Sequence, residues 1–267
     1  MNRLLSFIKI LLFCYVFSFT KLNAQNRPRI IAIYPTSDSI PVNILRFYIK
    51  FSKPMQEMNI LQHIKLLDEC KKNITGVFYE NQYELWNEDR TTITLLVDPG
   101  RVKLGLLANN KMGRAFDEGK KYSLEIDNLI LDFEDQKLEN NYTKTFIAVN
   151  DDIVPPDIEK WKLELPKLNS KETIVINFND KINHISAYTL IKVFRDKKKI
   201  QGNVILDNHE STWIFKPNEK WKKGDYQVIV EPQLEDISAN TINKLFDYKP
   251  TDYITNNLRN ILKFTIK

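Results

Sequence analysis

The sequence predicts an all-β chain built as two tandem antiparallel β-sandwiches behind an N-terminal signal peptide. Short stretches alternate apolar and polar residues with a period of two, and long helical periodicity is absent. One phrase also occurs twice, as LRFYIKFSKPM at 45–55 and as TIVINFNDKI at 173–182. An alternation of period two is typical of strands with one buried face, and many short strands separated by turns are typical of sandwiches.

Residues 1–24 are expected to be a signal peptide and not part of the fold. The segment starts with the basic residues Arg3 and Lys9 and ends in Leu22-Asn23-Ala24, a small-residue cleavage pattern. Its apolar core is about ten residues long, whereas a membrane-spanning helix needs about 20. We therefore expect the chain to be exported to the periplasm, the cell surface or the extracellular space.

Charge and cysteine content narrow the possible classes of partner. The chain has 39 Lys+Arg against 34 Asp+Glu, and the predicted signal removes three basic residues, which leaves a net charge near zero. This balance does not favour a nucleic-acid partner. Cys70 would be the single cysteine of the mature chain, so no internal disulfide is expected. No second apolar run of membrane length follows, so we expect no transmembrane segment there.

The strands can be placed in order along the chain. In the first half they are predicted at 29–33, 44–51, 64–68, 74–79, 83–86, 91–97, 122–127 and 143–149. In the second half they are predicted at 160–165, 173–178, 190–195, 200–206, 212–215, 226–231 and 262–266. Pro155 and Pro156 mark a break, because neither residue can donate a hydrogen bond to a sheet. We therefore predict one module at 25–152 and a second at 153–267.

The two halves repeat the same blocks in the same order. Gly76 in ITGVFY matches Gly202 in IQGNVI, TLLVDPGRV matches WIFKPNEKW, and EGKKYSLEI matches KKGDYQVIV. An aspartate, Asp132 or Asp236, follows ten residues after the tyrosine of each last block. A period near 125 residues indicates a domain duplication, since solenoid repeats are much shorter.

These blocks carry a family resemblance. FSKPM at 51–55, DEGKKYSLEI at 117–126 and KKGDYQVIV at 222–230 resemble the motifs of bacterial Ig-like domains of the surface-layer type. EDQKLEN and EDISANTI occupy the place of that family's Asp-Gly-Asn turn but lack its glycine, which leaves the type of the turn open. The resemblance covers most of 28–250. It implies Ig-like sandwiches used as spacer, adhesion or accessory modules, with no catalytic residues.

No set of residues with catalytic or metal-binding spacing is visible. The three histidines, expected at the surface or in turns, are far apart in sequence: His63, His184 and His209. The paired carboxylates, expected in solvated turns, are Asp151 with Asp152 and Asp132 with Asp135. LDFEDQKLENN at 131–141 resembles a calcium loop only loosely. We therefore expect no enzyme activity, no metal and no cofactor.

The stretch from Asp98 to Gly119 is the part least like the repeat. Asp98 before Pro99 predicts a capped short helix. The apolar residues would then face the sandwich; these are Val102, Leu106 and Leu107. The basic residues would form an outer, cationic side; these are Arg101, Lys103, Lys111 and Arg114. The segment is expected to close the open end of the sandwich; a basic site for an acidic glycan or for a partner's carboxylates, and disorder, are the alternatives.

The four tryptophans divide into two pairs. Trp161 and Trp213 lie on strand-like alternation and are predicted to be core residues. Trp86 and Trp221 lie at predicted strand or turn edges, so their rings are candidates for exposure and for stacking on a sugar.

These observations lead to one preferred function and one alternative. The preferred function is a secreted, non-enzymatic Ig-like module protein that acts as a cell-envelope binding, adhesion or scaffold component, with an unidentified envelope protein or glycan as its partner. The alternative is a carbohydrate-binding or accessory protein of a polysaccharide system. The candidate binding residues are Trp86, Arg101, Lys103, Arg114 and Trp221.

Overall fold

The structure is a computed structural model, and it describes residues 27–247 and 260–267. The predicted signal peptide therefore lies outside the described residues. The strands of the first half are β1 (Ile30–Tyr34), β2 (Ser39–Pro41), β3 (Arg46–Phe51), β4 (Ile64–Leu67), β5 (Leu85–Trp86), β6 (Thr92–Leu96), β7 (Lys121–Ile126) and β8 (Tyr142–Val149). The strands of the second half are β9 (Lys162–Glu164), β10 (Ile174–Asn177), β11 (Ile191–Arg195), β12 (Lys198–Lys199), β13 (Gly202–Asp207), β14 (Thr212–Pro217), β15 (Gly224–Val230) and β16 (Ile261–Ile266).

Helices are few and short in the described residues. The α-helices are α1 (Pro99–Val102), α2 (Leu107–Met112) and α3 (His184–Leu190), and 3-10 helices lie at Ile60–His63 and Ile158–Lys160.

The strands form four sheets of four strands, two in each half. The first half has the orders β1-β3-β6-β5 and β2-β8-β7-β4, and the second half has the orders β13-β14-β10-β9 and β12-β11-β15-β16. Two such sheets facing each other form an Ig-like sandwich. The predicted all-β architecture of two tandem sandwiches is thus confirmed, and we call the halves the first and the second sandwich.

The core of the first sandwich is made by side chains that alternate along its strands. Phe47 of β3 lies 5.6 Å, between ring centroids, from Phe146 of β8, so the two sheets meet through aromatic rings. Phe116 and Tyr122 surround the same contact. This arrangement follows from the period of two, which places every second residue of a strand on the inner face.

The core of the second sandwich contains both tryptophans that the sequence assigned to it. Trp213 of β14 is fully buried and stacks on Phe215, while Trp161 packs against Phe178. Trp221 and Tyr226 continue this aromatic cluster to Phe264 of β16, which shows that the last strand pairs with the second sandwich.

The duplication is visible in the hydrogen bonds of the structure as well as in the amino-acid sequence. The Asp132 Oδ1 atom accepts from the backbone N–H groups of Glu134 and Gln136, both at 2.9 Å. The Asp236 Oδ1 atom accepts from Ser238 at 2.8 Å and Asn240 at 2.9 Å, which are also two and four residues further on. The two turns that lack a glycine are therefore built alike, by an aspartate that caps its own turn.

Several details differ from the sequence prediction. Residues 74–79 form no strand; an isolated bridge between Phe78 and Val97 is what remains of the pairing. Strand β2 pairs in parallel with β8, so the first sandwich is not purely antiparallel. Helix α3 was not predicted, because its seven residues are too few to show a helical period; the Asn183 side chain caps it by accepting from Ser186 N.

Gly202, which the repeat aligns with Gly76, is required by close packing. A Cβ at Gly202 would lie 2.4 Å from the Lys216 carbonyl oxygen and 2.6 Å from the Phe215 ring. We expect Gly202→Ala to destabilise the second sandwich by about 1–3 kcal/mol, as overpacked cores do. Urea unfolding followed by tryptophan fluorescence measures this change. Asn203→Ala, on the same strand and exposed, is the control, and equal stability of the two variants would contradict the packing argument.

Candidate functional site at the junction of the two sandwiches

Arg101, predicted to lie on an outer basic face, is an interior residue. Its side chain is buried in α1, and its guanidinium donates to the carbonyl oxygens of Gly76 at 2.9 Å, Gly113 at 3.2 Å and Arg114 at 2.6 Å. The helix begins as predicted, because Asp98 Oδ1 accepts from Gly100 N at 2.8 Å. Arg101 therefore holds the Asp98–Gly119 segment onto the sandwich and is not free to bind an anion.

Two other basic residues of this segment are engaged, one of them with the second half of the chain. The Lys103 ammonium lies 4.4 Å from the ring centroid of Phe246, and Arg114 forms a bidentate ion pair with Asp151. Val102 is buried as predicted, but Leu106 and Leu107 are exposed, which corrects their assignment to the inner face. Because the cations of Arg101, Lys103 and Arg114 are engaged, these three residues do not form the predicted open cationic patch, whereas Lys111 is exposed as predicted.

The two candidate tryptophans have different environments. Trp221 is 2% exposed, and its Nε1 donates to the Glu172 carbonyl at 2.7 Å, so it presents no ring face to a ligand. Trp86 is half-buried against Phe51, and its Nε1 donates to Glu84 Oε2 at 2.7 Å. The prediction that Trp221 is exposed was wrong because the residue follows a turn and has no strand alternation around it to indicate burial.

Removal of the Arg101 guanidinium would leave three carbonyl groups with one donor fewer. We expect Arg101→Ala to lower the free energy of unfolding by about 2–4 kcal/mol, since buried hydrogen bonds to charged groups are among the stronger ones. Chemical denaturation measures the change, and Lys111→Ala, on the same segment and exposed, is the control. If Arg101→Ala is as stable as the control, these hydrogen bonds do not contribute to the free energy of unfolding.

The two sandwiches meet through a polar network centred on Asn43, Asp152 and Asn240. Asn43 Nδ2 donates to the Asp152 carbonyl at 2.8 Å, and the Asp152 N–H donates back to Asn43 Oδ1 at 2.9 Å. Asn240 Nδ2 donates to the same carbonyl at 3.0 Å and to Asp236 Oδ2 at 2.8 Å. The connection between the halves is thus hydrogen-bonded from both sides.

A segment of the second half also packs on the core of the first. Ala239, held with φ 64 in the turn that Asp236 caps, is buried in the first sandwich's core, and Phe246 packs beside it. Asp247 Oδ2 accepts from Leu104 N at 2.9 Å, in the segment that Arg101 anchors. Residues 234–247 therefore bridge the two sandwiches, and we call them the bridging segment.

Further contacts line the junction around this segment. The hydrogen bonds are Asn183 Nδ2 to Tyr48 Oη at 2.8 Å, Arg46 Nη1 to Glu235 Oε2 at 2.5 Å, and Thr36 N to Glu210 Oε2 at 3.0 Å. His184 stacks on Tyr34 and is buried, which corrects its expected surface position. Burial, and after it the charge of Lys50, lower the pKa of His184 to about 4, so the ring is neutral at neutral pH.

Three carboxyl groups from distant parts of the chain come together in this junction. Oxygens of Asp152, Asp180 and Asp236 lie within 4.8 Å of one another, and Asp236 is fully buried. No donor in the described residues serves the buried Asp180 Oδ2 atom. Carboxylates this close repel each other, so the group shares protons or a cation. Sequence analysis predicted no metal site and did not join these residues, which are 28 and 56 positions apart.

Burial raises the pKa values of all three carboxyl groups. Burial, and after it the charge of Asp152, raise the pKa of Asp180 from 3.8 to about 7. Burial also raises the pKa of Asp152, and it raises that of Asp236 well above its usual range. At neutral pH the junction therefore keeps protons that an unfolded chain would release.

Comparison of the two repeats explains why the junction has three carboxyl groups and, among the described residues, no lysine paired with them. Residues 51–55 and 178–182 are equivalent, since Met55 bridges to Asp132 as Ile182 bridges to Asp236. Lys53 of the first sandwich forms an ion pair with Asp132 at 3.3 Å, whereas the equivalent residue of the second is Asp180. A cation in one copy is thus replaced by a third carboxyl in the other. This Lys–Asp difference between aligned repeats was visible in the sequence.

The junction should therefore weaken as the pH rises. The raised pKa of Asp180 contributes stability that is complete below about 4 and is lost through about 7. The lowered pKa of His184 acts in the opposite direction, since its contribution is lost as the pH falls from 6.5 toward 4. Asp180→Asn removes the titration of Asp180 and leaves that of His184 in place. We therefore expect the stability of this variant to rise relative to that of the parent chain between about pH 5 and about pH 8.

Denaturant unfolding from pH 4 to 8 in EDTA measures the difference between the two proteins. EDTA removes divalent metal ions that could bind the carboxyl groups, and Asp207→Asn, an exposed aspartate of the second sandwich, controls for the loss of one charge. If the difference in unfolding free energy between the parent chain and Asp180→Asn stays constant over this pH range, the pKa of Asp180 is the same in the folded and unfolded states.

No helix among the described residues is long and apolar enough to cross a membrane.

No protein-family model and no curated protein matches the sequence. Among solved structures, the chain is similar to native α2-macroglobulin from Escherichia coli, domains MG0-NIE-MG1, with 11% identity, 92% of this chain and 73% of that chain covered, and a TM-score of 0.30. It is also similar to the N-terminal part of the bacterial S-layer protein SbsC, with 13% identity, 78% and 42% covered, and a TM-score of 0.33. Likenesses this distant carry no argument about function, so the Ig-like fold rests on the strands described above.

Proposed function

We propose that the chain is a non-enzymatic component of the cell envelope in which two Ig-like sandwiches form one stiff unit that binds or spaces its partners. The observation that carries the proposal is the junction. Ala239 of the bridging segment is buried in the first sandwich's core, whereas Leu234 and Ile242 of the same segment are buried in the second sandwich's core, and Asn43 and Asn240 both donate to the Asp152 carbonyl. A joint with directional hydrogen bonds on both sides favours a fixed orientation over a flexible linker.

Two further observations support the envelope role. The N-terminal 24 residues have the pattern of a signal peptide, which predicts export. The motifs at 51–55, 117–126 and 222–230 resemble bacterial Ig-like domains of the surface-layer type, a class that serves as spacers and adhesion modules. The buried histidine His184 is packed between the rings of Tyr34 and Tyr188.

Stiffness can be measured as a distance distribution between the sandwiches. Spin labels at Lys65→Cys on β4 and Lys263→Cys on β16, with the exposed Cys70 replaced by serine, report one distance by electron–electron double resonance. We expect a narrow distribution. Asn240→Ala should broaden it and cost about 2 kcal/mol of unfolding free energy, because the Asp152 carbonyl and the Phe246 N–H lose a partner.

Asn140→Ala, an exposed asparagine of the first sandwich, is the matched control and should leave the distribution unchanged. A broad distribution in the parent chain would show that the sandwiches move independently, and the proposal of one stiff unit would then be wrong. The envelope role is tested by fractionating the native cell: recovery of the chain in the cytoplasm would contradict it.

A further inference from the structure

The first sandwich carries a groove beside β6. The chain is hydrogen-bonded to β6 at Tyr79, whose N–H donates to the Leu96 carbonyl at 2.8 Å, and again at Leu85, which pairs with Thr94. Between these points residues 80–84 arch away from the strand. They enclose a cavity of about 410 Å³, with β6 as its floor and the 3-10 helix Ile60–His63 as its far wall. This volume is within the usual range for small-ligand sites, about 300–1,000 Å³.

The duplication shows that the arch is an addition to the fold. Gly76 aligns with Gly202, and Thr91 aligns with Ser211, since their carbonyls accept from the equivalent Phe51 and Phe178. Thr91 follows Gly76 by 15 positions, whereas Ser211 follows Gly202 by nine positions. The first sandwich therefore has six extra residues here. In the second sandwich, β13 pairs with β14 along its whole length, so no equivalent arch leaves the strand there. The sandwich is therefore complete without the arch.

The arch is braced and keeps its shape. The Glu84 carboxylate accepts from the backbone N–H of Ile60 through one oxygen and from Trp86 Nε1, at 2.7 Å, through the other. Trp86 in turn packs against Phe51 of the core. The near wall of the groove is thus fixed to both the far wall and the core, which preorganises it for a ligand.

Aromatic faces and free polar groups line this groove together. Tyr83 is 69% exposed and Tyr79 is 48% exposed, although neither is needed to fill the core. The side chains of Gln62, Glu80 and Asn81 also line it, and none has a hydrogen-bond partner among the residues that the structure describes. A tyrosine ring suits the C–H face of a sugar, and amide and carboxylate groups suit its hydroxyls.

The charge of the lining selects among sugars. Its charged residues are Glu80 and Glu84, and it contains no lysine, arginine or histidine. An acidic glycan would be repelled, whereas a neutral sugar would bind without such a penalty and an amino group would pair with Glu80. We propose that this groove binds a neutral or amino-substituted glycan chain through Tyr79, Tyr83 and the polar groups beside them. The inference goes beyond the scaffold role and does not depend on the junction.

Binding is tested with the full chain on a panel of neutral, amino-substituted and acidic oligosaccharides, followed by calorimetry with the retained compounds. We expect neutral or amino-substituted oligosaccharides to bind and oligogalacturonate not to bind. Tyr83→Ala and Tyr79→Ala should each weaken binding by about 10-fold, as expected for the loss of one ring contact, while Tyr83→Phe keeps the ring and stays within about threefold.

Tyr142→Ala removes an exposed tyrosine from β8 of the same sandwich and should leave the affinity unchanged. Thermal unfolding confirms that each variant remains folded, which the exposure of Tyr79 and Tyr83 leads us to expect. Three outcomes would overturn the proposal: no oligosaccharide retained, acidic oligosaccharides alone retained, or binding that survives Tyr79→Ala and Tyr83→Ala together. None of these outcomes bears on the distance distribution across the junction.

Discussion

The fully buried carboxyl group of Asp236 is the point on which the joint between the two sandwiches depends. Its Oδ1 atom caps the turn at Ser238 and Asn240, and its Oδ2 atom orients the Asn240 amide toward the Asp152 carbonyl. The same turn presents Ala239 to the core of the first sandwich. One side chain thus shapes the turn, directs the hydrogen bond across the junction and sets the apolar contact.

The two copies show how a duplicated turn can acquire a second role. In the first sandwich Asp132 caps its turn and is neutralised by Lys53, so this turn is self-sufficient. In the second sandwich Asp180 replaces the lysine, and Asp152 from the connection approaches as well. Burying several carboxylates in one site is costly, and the raised pKa values of Asp180 and Asp236 indicate that bound protons reduce this cost. The aspartate that caps a turn in both copies therefore also belongs, in the second, to the group of three carboxyls at the junction.

Much of the fold could be predicted because its signals are local. The alternation at 44–51, the repeated phrase and the tyrosine–aspartate spacing each reflect one strand or one turn, and the structure contains the corresponding strands and capped turns. The positions of basic residues could not be predicted in the same way. A charged residue such as Arg101 is expected at the surface, but its side chain is buried because three carbonyl groups accept its hydrogen bonds. These carbonyls belong to Gly76, Gly113 and Arg114, which only the tertiary fold brings together. The six extra residues before Thr91 were visible in the sequence, but only the structure shows that they arch away from the sheet.

The polar character of the junction determines what kind of joint it is. Each hydrogen bond contributes only about 0.5–1.5 kcal/mol net, so the network adds less to stability than its size suggests. What it adds is direction, because Asn43 and Asn240 must both reach the Asp152 carbonyl while Tyr48 and Asn183 meet. An apolar interface of the same size would tolerate sliding, whereas a slid polar one would leave buried donors and acceptors unpaired. The polar junction therefore favours one orientation of the two sandwiches, which is the physical basis of the proposed stiff unit.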